Sequence, residues 1–207
     1  MATNSELIAS QAAHAGFINR VGKGNANKIV SYLKQALEYI ESRLAKEGET
    51  IRNQTRLMAV QRDIKEKLNL IYSKWEKERD KSIFEIADYE ADFQAKLIGG
   101  FVGGVDMVKP SNEQLIKAAN SQPLSIGRLN SSVSFTAMLA EWKTREIATA
   151  NAVITNGFAL GQTTSQITKR MRDELMPLTR RNSDAVVITA INHMSNTAKV
   201  QTYKQNN

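Results

Sequence analysis

Apolar residues recur at steps of three and four along most of this chain. Between 26 and 46, Ile29, Leu33, Ala36, Leu37, Ile40 and Leu44 fall on one stripe, which predicts a helix with a single buried face. A longer run, from about 51 to 98, contains neither Pro nor Gly. Its apolar positions Ile51, Leu57, Val60, Ile64, Leu68, Ile71, Trp75, Ile83, Ile86, Tyr89, Phe93 and Leu97 are spaced mostly by three, four or seven. The charged stretch KWEKERDKS weakens the stripe, so the helix either passes through it as a solvated turn or bends there. Asp63–Lys67 and Glu78–Lys81, acid before base, are expected surface pairs. Ahead of both runs, a segment over 5–20 aligns Leu7, Ile8, Ala12, Ala15 and Ile18, and GKGN (22–25) is expected to break it. Between the runs, Gly48 suits a C-terminal cap and Thr50 can cap the helix that follows. The two main runs read as an antiparallel hairpin, about 70 Å long if unbroken at a rise of about 1.5 Å per residue.

The stretch IGGFVGGVDMVKPSN (98–112) marks the clearest boundary, with four glycines followed by Pro110. A phosphate-binding loop needs a strand, then glycines, then a helix, with Lys before Ser or Thr in one variant. No strand precedes this stretch and its spacing fits neither form, so it reads as a hinge. Shorter helices follow. Ser111 or Asn112 caps 111–120, and 121–130 reads as a loop. Val133, Met138, Leu139, Trp142, Ile147 and Ile154 form a stripe over 131–155. Gly157 and Gly161 end that helix, Thr163 or Thr164 starts another, and TRRNSDA (179–185) links to a last helix reaching about Lys204. No alternating strand pattern stands out. The expected fold is all-α: a long N-terminal helical hairpin or arm (1–98), a Gly-rich hinge (99–110) and a small C-terminal helical domain (111–207).

Composition supports helix and narrows the chemistry. Hydrophobic residues make up 42% of 207, enough for a core, and only three Pro occur. The absence of Cys excludes disulfides, thiolate nucleophiles and Cys-ligated zinc, and fits a reducing compartment. No apolar run approaches the roughly 18 residues that span a bilayer. The start lacks the basic-then-apolar order of a signal peptide, so a soluble, non-exported chain is expected. The net charge of +7 is uneven: +2 over 1–98 and +5 over 99–207. KRMRDELMPLTRR (169–181) concentrates the excess in Lys169, Arg170, Arg172, Arg180 and Arg181. It contains no aromatic to stack on bases, so it reads either as a solvated basic turn or as a contact for duplex phosphates or an acidic partner.

Catalytic patterns are sparse. His14 and His193 lie in unrelated segments without metal-ligand spacing, and the carboxylates of the long run alternate with Lys and Arg as surface pairs do. No nucleophile elbow, Walker or dinucleotide motif occurs, so no enzyme activity, cofactor or metal is expected. In AVVITAINHMSNTAKVQTY (185–203), Val187, Ile191, Met194 and Ala198 form an apolar seam, with Val186, Ala190, Thr197 and Val200 beside it. Thr189, Asn192, Asn196 and Tyr203 take another face. His193 lacks a ligand-spaced companion and reads as structural.

The second half nevertheless has a specific order: PSNEQLIKAANSQPL, a helix carrying Arg145, VITNGFALGQTTSQITKRMRDEL, then RRNSDAVVITAINHMSNTAKVQTYKQN. This order resembles the phage head morphogenesis family, the minor head proteins similar to protein F of bacteriophage Mu. Gly161, Gln162 and Ile167 match its central segment, and Thr189, Ala190, Asn192, His193, Ser195, Asn196 and Ala198 match its closing helix. The likeness covers roughly 108–206. It implies a low-copy virion or procapsid component, made in the host cytoplasm and resident in the head near the portal vertex. The implied partners are the portal protein, other head proteins, further copies of itself and, non-specifically, packaged double-stranded DNA. It implies a role in head assembly and, in some members, in DNA packaging or ejection, with no membrane contact unless the protein is ejected. Many members continue into Cys-containing or toxin-like extensions, and activity of that kind is not expected in this chain. The alternatives are a head–tail adaptor, an internal ejected protein, or a non-viral helical DNA-binding or scaffold module.

Overall fold

A computed structural model describes residues 4–122, 124, 125 and 132–206. The fold is all-α, with α1 (Asn4–Asn27), α2 (Ile29–Ala45), α3 (Gln54–Phe101), α4 (Asn112–Ser121), α5 (Phe135–Ala159), α6 (Thr164–Arg170) and α7 (Met176–Gln205). The one extended pairing among the described residues is minimal: β1 (Leu124–Ser125) lies antiparallel to β2 (Ser132–Val133), with Leu124 opposite Val133. Most of the loop expected over 121–130 lies outside the described residues.

The helices divide into two compact units. The first comprises Met1–Ala26, Arg79–Leu139 and Val186–Asn207; the second comprises Asn27–Glu78 and Ala140–Ala185. α3, α5 and α7 each supply residues to both. An amphipathic stripe specifies that a face is buried, and says nothing about which distant segment buries it.

In the second unit, α2 and the first part of α3 form the expected antiparallel pair. The stripe Ile29, Leu33, Ala36, Ile40 and Leu44 is buried, as are Leu57, Val60, Ile64, Leu68, Ile71 and Trp75. Residues of α5 and α6 pack against the pair. Trp142 of α5 packs its ring against Tyr72 and Trp75, with centroids 5.1 and 4.3 Å apart. Thr164 of α6 donates its N–H to the Glu49 carbonyl (2.8 Å) and its hydroxyl to the Gly48 carbonyl (2.7 Å). Gly48 takes φ +79, the left-handed conformation expected of a helix-ending glycine. The cap of α3 is Asn53, not Thr50: its Oδ1 accepts from the Arg56 N–H at 3.0 Å.

Two expected breaks are absent. GKGN lies inside α1, where buried Gly22 faces Ile188 and Ile191, and a Cβ added there would meet Ile191 at an ordinary contact distance of 3.8 Å. TRRNSDA lies inside α7. Two of its polar residues face inward: Thr179 and Ser183 are buried, with their hydroxyls bonded to Glu146 (2.6 Å) and the Arg180 carbonyl (2.8 Å), while Arg180 and Arg181 are exposed. Pro177 follows a π-helical turn (Met171–Leu175), where the hydrogen-bond ladder is already shifted. That turn redirects the Met176 N–H to the Met171 carbonyl.

Other local expectations hold. Ser111 and Thr163 each form a capping box, with Gln114 and Gln166 as the return partners. Gly103, Gly104 and Gly161 adopt positive φ at turns. Gly157 does not end α5. It leaves room for Ile167, whose Cγ1 would lie 2.4 Å from a Cβ at that position.

Candidate functional site

The basic positions expected to contact phosphate all lie in the second unit, and most carry local partners. Lys169 pairs with Asp173 one turn along, and Arg172 pairs with Glu41 of α2. Arg170 faces Glu174 at 3.5 Å and donates to Gln162 Oε1 at 3.3 Å. Arg180 donates to the neutral Oδ1 of Asn27 at 3.1 Å, and Arg181 is exposed. The neighbouring Asp173 holds the Lys169 ammonium above its usual range, and the same contact holds the Asp173 carboxyl below its own. Exposed pairs of this kind are worth little individually. Even so, each carboxylate competes with a phosphate for the same cation, which leaves Arg180 and Arg181 as the least neutralised pair.

The family-like residues serve mainly in packing. Gly161 ends a turn at φ +64, and the Gln162 N–H donates to the Gly157 carbonyl at 2.9 Å. Ile167, Ala190 and Ala198 are fully buried. The seam Val187, Ile191, Met194 and Ala198 is buried as its spacing predicts, whereas Val200 is 40% exposed. Thr189 is half-buried. The His193 ring stacks on Phe135 with centroids 5.1 Å apart. Its Nε2 lies 3.0 Å from the Ala119 carbonyl, so that nitrogen carries the proton and donates it.

Asn192, Ser195 and Asn196 converge instead on a polar cleft of about 140 Å³ in the first unit, between α1, α3 and α7. At its base Glu90 is 2% exposed. The Glu90 Oε2 accepts from the Ser195 hydroxyl at 2.7 Å and lies 2.8 Å from His14 Nε2. Its Oε1 accepts from Gln94 at 2.7 Å. Gln94 in turn accepts from Gln11 (3.1 Å) and the Tyr203 hydroxyl (3.0 Å), and Lys199 reaches Gln11 at 3.2 Å. The His14 ring lies parallel to Phe93 at 3.6 Å.

Sequence reasoning missed this cluster, although a signal was present. Glu90 and Gln94 continue the stripe Ile83, Ile86 and Ala87 at buried positions, and His14 stands four residues before buried Ile18. A carboxylate on a core stripe requires partners. Chemically, Ser195 donates to Glu90 and not to His14, so the serine–histidine–acid order that activates a nucleophile is not formed. The carboxylate collects donors from three helices, which ties them together. Among the described residues, no group of three or more His, Cys, Asp or Glu could hold a metal, and no helix is long and apolar enough to cross a membrane.

Compared with protein-family models, curated proteins and solved structures, the chain matches none.

Proposed function

We propose that this chain is a phage minor head protein, a structural component of the virion or procapsid bound near the portal vertex. The observation that carries this reading is the ordered residue set between 108 and 206, from PSNEQLIKAAN through GQTTSQI to TAINHMSNTA. An interaction role also agrees with the chemistry of those residues, which supply turns, buried small side chains and interhelical hydrogen bonds rather than an activated nucleophile. Its partners are the portal and neighbouring head proteins, with packaged duplex DNA as a non-specific contact through the basic residues of 169–181. Fractionation of virions and procapsids by density and immunoblot tests the proposal. Co-migration with heads in a low, fixed copy number is expected. A protein confined to infected-cell cytosol would overturn it.

A further inference from the structure

The second unit carries a shallow groove of about 620 Å³ between α2 and α3, floored by Ile71 and edged by Gln35, Tyr39, Lys67, Leu70 and Lys74. Lys67, Leu70 and Lys74 stand at i, i+3 and i+7 on α3, so the two lysines bracket the leucine at backbone positions about 10 Å apart along the axis. Leu70 is 63% exposed between them. Lys67 lies 5.7 Å from the centroid of the Tyr39 ring. Among the described residues neither Lys67 nor Lys74 has a carboxylate partner. Glu38, the one carboxylate on the rim, faces Lys34 on its own helix at 4.0 Å.

We propose that this groove docks an acidic amphipathic helix from another protein. Such a helix would carry carboxylates two turns apart for Lys67 and Lys74, and between them an apolar side chain that buries Leu70 against Tyr39 and Ile71. A phosphate backbone would satisfy the lysines but leave the central leucine facing a polar surface. A helix with an apolar anchor satisfies both. This assignment goes beyond the virion role and does not depend on it.

The probe is a fluorescein-labelled, alanine-based helical peptide with two Glu seven positions apart and one Leu midway. It is titrated against the full chain by fluorescence anisotropy at low salt. Saturable binding is expected, weakened at least tenfold by K67E/K74E and several-fold by L70A, with circular dichroism of both variants unchanged because all three side chains are exposed. A peptide carrying Lys in place of Glu should bind K67E/K74E and not the parent chain. No binding of the Glu peptide overturns the proposal, as does equal binding by the variants. Displacement of bound peptide by a 24-base-pair duplex at lower concentration than by unlabelled peptide would also overturn it, and would assign the groove to nucleic acid.

Discussion

The Glu90 carboxylate and the His14 imidazole meet at 2.8 Å, both side chains being more than nine-tenths buried and 76 residues apart in sequence. Glu90→Ala would leave His14, Ser195 and Gln94 without their common acceptor, and we expect a loss of about 3 kcal/mol. Glu90→Gln keeps an acceptor but turns an NH2 toward existing donors, for a loss of about 1–2 kcal/mol. Urea unfolding of the three proteins checks the order. Equal stability of Glu90→Ala and the parent would show that the network contributes nothing.

Glu47 predicts an acid-sensitive contribution. Burial alone would raise its carboxyl, but hydrogen bonds from Arg43 (2.6 Å) and Arg56 (2.8 Å) outweigh burial and hold it below its ordinary value of 4.5. The folded state therefore binds this proton more weakly than the unfolded state. The stabilisation is complete above pH 4.5 and is lost as pH falls through the depressed folded value. At pH 7, Glu47→Gln should be about 2 kcal/mol less stable than the parent. The gap should narrow by pH 3, and a gap independent of pH in denaturant midpoints would contradict the assignment.

Gly157 and Ile167 should behave as a coupled pair. A Cβ at 157 would meet Ile167 Cγ1 at 2.4 Å and Cδ1 at 2.8 Å, so Gly157→Ala is expected to cost about 2 kcal/mol. Ile167→Ala should cost about 3 kcal/mol by itself, since the side chain is fully buried. In that background Gly157→Ala should cost almost nothing. An additive double-mutant cycle would refute the contact.

His193→Ala should act on stability alone, losing about 1–2 kcal/mol with the Ala119 hydrogen bond and the Phe135 stack. A variant that folds with parental stability yet loses one specific binding step would show that His193 is functional instead.

Within the basic segment, charge reversal of Arg180 and Arg181 should weaken duplex binding more than reversal of Arg170 and Arg172, which already face carboxylates. Each lost phosphate contact should lower the slope of log affinity against log salt by about one. Equal effects of the two double variants would mean that the local ion pairs do not compete with DNA.

Much of the secondary structure was legible in the chain itself. The stripes of α2, α3, α5 and the closing seam of α7, the caps at Ser111 and Thr163, and the turns at Gly48 and Gly161 follow from periodicity and local backbone chemistry. These features depend on neighbours within a turn or two, where sequence distance and spatial distance coincide.

The tertiary structure alone decided the rest. GKGN and TRRNSDA are helical, with Gly22 packed beside Ile191 and Thr179 bonded to Glu146. Asp63, expected to pair with Lys67 on its own helix, instead accepts from Arg43 of α2 at 2.8 Å, which leaves Lys67 open to an outside partner. The division into units, the carboxylate shared by His14, Ser195 and Gln94, and cross-helix ion pairs such as Arg172–Glu41 depend on residues far apart in the chain. Local pattern sets which face of a helix is buried. Which distant side chains meet that face, and so which charges are satisfied and which remain open, is a property of packing.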